Sequence, residues 1–314
     1  QQQRILTTPS HYAYLKISEG CDRSCSYCAI PMIRGPHCSV PEEEVLAEAR
    51  NLAQMGVKEL IVVAQDTTYY GLDLYRKRTL ATLLEKLSLI DGIEWIRLHY
   101  SYPAGFPEDV LRLMADNPKI CKYIDIPLQH SSDKVLKMMR RSVDGRRTRA
   151  LIEKMRKMVP GVVLRTTMLV GHPGEGKREF EELLDFVRES RFERLGAFTY
   201  SEEEGTFGAL NYKDSVSRKV KQERYERLME LQSAISLEYN RSRIGSREWV
   251  IVDSFSDGVY VGRSKNESPE VDGEILIGAS GIDKLFRENN PVGNFVSVNI
   301  LNADEYDLVA EVSR

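Results

Sequence analysis

Apolar positions along the chain follow two periods in alternation. Short runs rich in Val, Ile and aromatic residues are spaced by stretches in which apolar residues recur every three or four positions. Residues 12–17 read as a strand. Residues 41–55 read as a helix, with Pro41 in its first turn, Glu42, Glu43 and Glu44 at its start and Gly56 past its end. The continuous apolar run at 58–64 predicts a buried strand. The pattern then predicts a helix over 80–90, a strand over 93–99, a helix over 107–115 and a short strand over 123–126. Helical pieces follow around 133–140 and 147–158, then a strand over 162–170, a helix over 177–189 and a strand over 195–200.

Counting the opening strand, this makes six strand–helix units. Helical spacers of this length imply parallel pairing with right-handed crossovers. Six units are too few for an eight-unit barrel, so the expectation is an α/β fold, a partial (β/α)6 TIM-like barrel. In such folds chemistry sits at the C-terminal ends of the strands. A long amphipathic helix is expected over 216–243, with Tyr225, Leu228, Met229, Ile235 and Tyr239 near one face. After Gly245 the texture changes. Short β runs at 249–252, 259–262, 274–277, 295–300 and 306–312 are separated by Gly, Asp and Asn turns, which predicts a small five-stranded all-β, OB-like barrel. The expected division is a linker remnant at 1–9, a core at 10–243 and the β-barrel at 244–314.

Composition changes this picture little; charge and cysteines change it more. The 314 residues are 42% hydrophobic and 29% charged, ordinary for a globular chain. No run of 18 apolar residues occurs, so no membrane-spanning helix is expected. The opening Gln1-Gln2-Gln3-Arg4 carries no signal-peptide pattern. The net charge of -3 hides an asymmetry: residues 245–314 hold six Lys/Arg against thirteen Asp/Glu, so the body is mildly basic and the tail region acidic. Within the body, residues 134–157 hold ten Lys/Arg against two acidic residues. That run reads as the solvated face of two helices in preference to a nucleic-acid face.

Three of the five cysteines, Cys21, Cys25 and Cys28, are spaced Cys-x3-Cys-x2-Cys just past the first predicted strand. Clustered free thiols suit a reducing cytosol better than a disulfide framework. Three thiolates on one loop can hold three corners of an iron–sulfur cube, whereas closed ferredoxin-type clusters use four. One iron is then left with an open position, where chemistry happens. The competing reading is a structural zinc site, which wants four ligands in two pairs. Only Cys38, Cys121 and the histidines could complete one, with His37 and Cys38 near in sequence. On that reading the chain would be a zinc-bound RNA-binding module. Cys38 and Cys121 otherwise read as a surface and a buried thiol.

The segment from Leu15 through Gly20, Cys21, Cys25, Tyr27, Cys28 and Ile30 to Gly35 resembles the signature of the radical S-adenosylmethionine (SAM) methylthiotransferases. Further matches follow later predicted strands. They are Ala64-Gln65-Asp66-Thr67-Thr68-Tyr69-Tyr70-Gly71, Arg97-Leu98-His99-Tyr100-Ser101-Tyr102-Pro103, Tyr123-Ile124-Asp125-Ile126-Pro127-Leu128-Gln129-His130 and Val170-Gly171-His172-Pro173-Gly174-Glu175. Together with the closing Ala303-Asp304-Glu305-Tyr306-Asp307-Leu308, they resemble the family branch that modifies an aspartate of small-subunit ribosomal protein number twelve. The terminal β-domain resembles a TRAM domain.

The resemblance implies a transferase that adds a methylthio group to the β-carbon of that aspartate. It implies a 4Fe-4S cluster on Cys21, Cys25 and Cys28, with SAM chelated to the open iron. Reductive cleavage of SAM would give a 5′-deoxyadenosyl radical that takes the hydrogen. Tyr27 would pack near the adenine and Gln65 would bond the SAM amino group. Arg165 would pair with the SAM carboxylate through its fork of donors. Gly171 and Gly174 would let the backbone approach the cofactor. For each of these a purely structural role stays open. His172 and Gly176 depart from the family pattern, which has an aromatic and a Thr or Ser there. His99 and His130 read as proton carriers or, more ordinarily, as hydrogen-bonded supports.

The family also carries an N-terminal domain whose three cysteines hold a second, sulfur-supplying cluster, so the expectation is a fragment that binds one cluster. The implied partners are the ribosomal protein, met by the acidic terminal domain, and an electron donor such as flavodoxin or ferredoxin. The alternative within the family is a tRNA-adenosine methylthiotransferase. RNA binding would favour a basic terminal domain, and this one is acidic.

Overall fold

The computed structural model describes residues 6–287 and 289–313. The expected linker at 1–9 falls partly outside them, at residues 1–5. Six parallel strands form one curved sheet in the order β1-β4-β5-β6-β7-β8. They are β1 (Tyr12–Lys16), β4 (Glu59–Val63), β5 (Trp95–Leu98), β6 (Ile120–Asp125), β7 (Val163–Val170) and β8 (Arg194–Thr199). Between β1 and β4 lies a two-stranded ribbon, β2 (Ser18–Glu19) with β3 (Cys38–Ser39). The sheet is the expected partial barrel, open between β1 and β8.

Alternation along the strands makes two interiors. Ala13, Leu15, Leu60, Val62, Ile96, Leu98, Leu164 and Met168 bury outward, in one core with helix residues such as Leu83, Leu84, Val110, Met155 and Phe180. Their neighbours in sequence face the lumen. At the lumen's lower end Trp95, Cys121, Tyr123 and Val163 cluster with Ile251 of the terminal domain.

The helix Arg218–Ser242 supports β8 and adds Leu228 and Ile235 to the main core. Beyond it the chain forms a closed barrel in the order β10-β11-β13-β12-β9. Its strands are β9 (Arg247–Ser256), β10 (Val259–Arg263), β11 (Ile275–Gly278), β12 (Phe295–Ala303) and β13 (Leu308–Val312). The barrel has its own core of Val250, Val252, Ile275, Ile277, Val296, Val298 and Ile300. A helix, Ala279–Phe286, fills the connection before β12. Sequence periodicity did not mark it, because it is only eight residues long, starts directly after Gly278 and carries Gly281 in its interior.

The terminal barrel plugs the lower lumen with charge. Glu59 of β4 is fully buried and accepts from Arg97 Nε at 2.8 Å and Arg263 Nη1 at 2.8 Å. Arg263 forks onto Asp253 at 2.6 and 2.9 Å, and Asp253 lies 2.7 Å from His11 Nε2. A second buried group joins Arg194, Glu267 and Arg243. Burial alone would raise the Glu59 and Glu267 pKa values, but the facing arginines outweigh it. Glu59 is held below the usual range and Glu267 is brought down to about 2.

The Asp304–Asp307 stretch is a turn docked on the long helix. Asp304 Oδ1 accepts from the amides of Tyr306 and Asp307, and the Asp304 and Glu305 carbonyls accept from Asn240 and Ser236.

Candidate active site

The cysteine loop leaves the ribbon through Gly20, whose φ is +77°. A Cβ there would lie 2.1 Å from the Pro36 carbonyl oxygen, so only glycine lets the chain turn this closely. The loop is then held from three sides at Ser26. Its amide donates to the Met139 carbonyl at 3.0 Å, and its carbonyl accepts from the Gly208 amide. Its hydroxyl lies 3.1 Å from His172 Nε2. His172 Nδ1 donates to the Pro173 carbonyl at 2.8 Å, so Nε2 is the acceptor for Ser26. Burial lowers the His172 pKa and keeps the ring neutral. Where the family pattern has an aromatic, this histidine packs edge-on to Tyr27, Tyr200 and Tyr212 and anchors the loop.

Cys21, Cys25 and Cys28 line one cleft of about 180 Å³ at the C-terminal ends of the strands. Gln65 follows β4, Ser101 and Tyr102 follow β5, and Pro127 and Gln129 follow β6; all border the same space. A second opening of about 420 Å³, edged by Met32 and Phe207, reaches the same three cysteines from the other side. The Arg23 amide donates to Cys21 Sγ at 3.4 Å, an interaction that favours a thiolate. Burial without a metal nevertheless pushes the Cys21 thiol up to about 11 and raises that of Cys28. Metal binding here would therefore expel protons.

Polar atoms around the cleft lack partners. Buried and without a hydrogen bond are Arg23 Nη2 (though it pairs with Asp66 at 2.9 Å), Gln65 Oε1, Ser101 Oγ and Arg141 Nε. Folding rarely leaves such groups unsatisfied unless a ligand completes them. Two guanidiniums lie against the Tyr102 ring, Arg23 at 3.9 Å and Arg141 at 4.4 Å. The cleft thus offers thiols, fixed cations and a free acceptor on Gln65, a set that fits an anionic cluster together with a zwitterionic cofactor. Among the described residues no three His, Cys, Asp or Glu side chains converge tightly enough to hold one metal ion.

The residues singled out from the sequence divide. Tyr27 and Gln65 lie in the cleft. Tyr27 packs with Val135, Met139, Leu169 and Tyr200, and Gln65 Nε2 donates to Glu19 at 2.8 Å. Arg165 does not lie there. It is the third residue of β7, below the strand ends, and it is committed to Asp125 at 3.0 Å and Asp272 at 3.7 Å. It borders a separate cavity of about 330 Å³ beside Arg194 and Gln232. Gly171 and Gly174 have φ of +78° and +90°, but their close approach is to protein. Cβ atoms there would meet Lys221 Cγ at 2.4 Å and Met138 Sδ at 2.1 Å. Neither borders the cleft.

The two other histidines are supports. His99 stacks on Tyr123 and lies 2.8 Å from Ser268 Oγ; burial, then Arg97, lowers its pKa to about 3. His130 Nδ1 accepts from the Ser132 amide, so its Nε2 donates to Glu175 at 3.2 Å. Cys38 is exposed on the ribbon and Cys121 is buried in the lower lumen.

Sequence reading passed over Arg23, Tyr102 and Arg141. Arg141 was hidden inside the basic run 134–157. Several cations of that run do face solvent and pair with acids, such as Lys154 with Glu108 and Arg156 with Glu193. Arg141 turns inward instead. The available signal was its place just after the helix Asp133–Met138, beyond the helical face.

Comparison with known proteins bears on this site. The Radical SAM superfamily model matches residues 15–187 and the TRAM domain model matches residues 244–312. The chain is 54% identical over 310 residues to the ribosomal protein uS12 methylthiotransferase RimO of Bacteroides fragilis, covering 99% of this chain and 70% of that protein. The protein of the same name from Porphyromonas gingivalis is 53% identical over 313 residues, covering 99% and 71%. Among solved structures, the fold is shared with the radical SAM methyltransferase TsrM of Kitasatospora setae. The TM-score is 0.52 at 15% identity, over 80% of this chain and 39% of that one. It is also shared with Streptococcus suis SuiB, with a TM-score of 0.51 at 17% identity, over 73% and 49%. The chain belongs to the radical SAM superfamily and, within it, to the RimO family of methylthiotransferases.

Proposed function

We propose that this chain is the radical SAM core and terminal TRAM barrel of a methylthiotransferase that modifies an aspartate β-carbon of ribosomal protein uS12. One observation carries the chemical part. Three thiols lie in one cleft at the strand ends with three residues, Gln65, Ser101 and Arg141, that each keep a polar atom without a partner. The identity to relatives named for uS12 carries the substrate.

Cys21, Cys25 and Cys28 would hold a 4Fe-4S cluster by three corners, leaving the fourth for the amino and carboxylate groups of SAM. When bound, this pair supplies a radical able to take hydrogen from an unactivated carbon, which no side-chain acid or base can do at neutral pH. The chain's own residues bind and orient. The free Gln65 Oε1 suits an ammonium, and Arg23 and Arg141 suit negative charge. Tyr27 walls the cleft beside Cys25 and Cys28 and would border the adenine. The plugged lower lumen leaves the strand-end side for the substrate.

Many carboxylates of the terminal domain already have partners within this chain. Glu248, Asp253, Glu267, Glu270 and Asp272 are occupied by Arg243, Arg263, Arg194, Tyr12, Tyr14, Tyr123 and Arg165. The uS12 assignment therefore rests on the relatives. We place the second, sulfur-supplying cluster in the part of those relatives that this chain does not match. A small cytosolic redox protein, flavodoxin or ferredoxin, would supply the electron.

Anaerobic reconstitution tests the reading. About four irons and four sulfides should bind per chain, as one cube requires. Added SAM and reductant should yield 5′-deoxyadenosine, without methylthio transfer by this segment alone. Bound zinc in place of iron would overturn the chemistry. Tighter, steeply salt-dependent binding of tRNA than of uS12 would move the substrate to the tRNA branch.

A further inference from the structure

Arg141 differs from the other inward-facing arginines. Arg97 and Arg263 sit on Glu59, Arg194 and Arg243 on Glu267, Arg165 on Asp125 and Arg23 on Asp66. Among the described residues Arg141 has no carboxylate partner. Its Nη1 donates toward Cys25 Sγ at 3.7 Å and Tyr27 Oη at 3.3 Å, and its Nη2 donates to the Pro127 carbonyl. Its plane lies over Tyr102, and its Nε is buried with no partner at all.

A guanidinium cannot shed its charge. Holding it half-buried against neutral groups is unfavourable unless an anion arrives to meet it. The one ligand-bearing group it addresses is the sulfur of Cys25.

We propose that Arg141 is a redox-positioning residue: a permanent cation, hydrogen-bonded to the Cys25 sulfur, that favours the reduced level of the cluster. This rests on the cluster assignment above. Reduction adds one electron from an external low-potential donor and makes the cluster one charge more negative, with no proton required. A fixed positive charge at a ligand sulfur stabilises that product more than the oxidised form, as hydrogen bonds to cluster sulfurs and net charge do generally. Arg141 thereby couples the cysteine loop to the β6 end, through the Pro127 carbonyl, in the geometry that a cluster would complete.

The test uses the full chain, reconstituted anaerobically and titrated with dithionite under EPR. Arg141→Gln should load iron within about twofold of the unsubstituted chain. At a fixed applied potential its reduced-to-oxidised ratio should fall about tenfold, equal to about 59 mV for one electron. Arg141→Lys keeps the charge and should hold the ratio within about threefold. An Arg141→Gln chain that loads iron and keeps the original midpoint overturns the proposal. If Arg141→Gln does not load, loading by Arg141→Lys supports it and failure of both overturns it, since shape rather than charge would then be the requirement. Absence of iron on the unsubstituted chain would instead sink the cluster assignment itself.

Discussion

The two ends of the same partial barrel treat polar groups in opposite ways. At the lower end each carboxylate of the network has a cation: Glu59 takes two arginines, Arg263 forks onto Asp253, and Glu267 takes Arg194 and Arg243; His11 Nδ1 and Arg194 Nε lack a hydrogen bond there, but both side chains are already paired with a carboxylate. At the upper end Gln65, Ser101 and Arg141 keep atoms without partners, and three thiols face a cleft. The lower end is finished by the chain itself, because the terminal barrel reaches in and closes it. The upper end keeps open groups that a bound cluster and cofactor would complete. Satisfied networks mark structure, and unsatisfied ones that converge mark function.

The sharpest way to separate the ends is to damage one and measure the other. Cys25→Ser should abolish cluster binding, dropping iron from about four per chain to below one, while urea unfolding of the apo chain moves by less than about 1 kcal/mol. A large loss of apo stability would show that the upper end is also structural.

Glu59→Ala should do the reverse. It leaves Arg97 and Arg263 without their shared buried anion and should cost about 3–5 kcal/mol of stability. Iron per folded chain should stay the same. Loss of iron at temperatures where the variant remains folded would couple the two ends.

Acid should weaken the lower end selectively. Glu267 is depressed to about 2 in the folded chain, against an ordinary value of about 4.3. A depressed carboxylate contributes its stability above the unfolded pKa and loses it as pH falls through the folded one. Between about pH 4.5 and 2 the apo chain should lose about 3 kcal/mol from this group, to order of magnitude. Denaturant midpoints across that window check it, and Glu267→Gln should flatten the slope.

The smallest expected effect lies at the join of ribbon and cysteine loop. Gly20→Ala forces a Cβ against the Pro36 carbonyl at a positive φ and should cost about 1–3 kcal/mol. It should also slow iron loading, because the Cys21 amide bonds to the Gly35 carbonyl across the same turn. Unchanged loading kinetics would mean that the loop adjusts freely.

Much of this was legible along the chain. The strand–helix periodicity located the six strands, and the first of them does run into the cysteine loop. Gln65 and Tyr27 were drawn from motif position and do reach the cleft. Arg165, drawn the same way, lies away from the cleft. A motif says that a residue lies on a strand near a site, but not how far down the strand it sits or which carboxylate claims it. Asp125, opposite it on β6, claims it. The acidity of residues 245–314 was real, yet at least five of its carboxylates are engaged by arginines or tyrosine hydroxyls of this chain, which a count of charges cannot reveal. Arg141 was invisible for the converse reason: among surface cations in sequence, it is the one whose environment is set by residues about 115 positions away.

By itself the sequence determined the local and the periodic: which segments extend, which coil, where three thiols share a loop, and that two domains follow one another. Those depend on neighbours within a few residues, and hydrophobic spacing reports them directly. Only the tertiary structure decided which charges are spent and which are held open. Pairing is a matter of distance between remote strands, and the same residue type is a paired strut opposite a carboxylate and an unpaired cation opposite a sulfur.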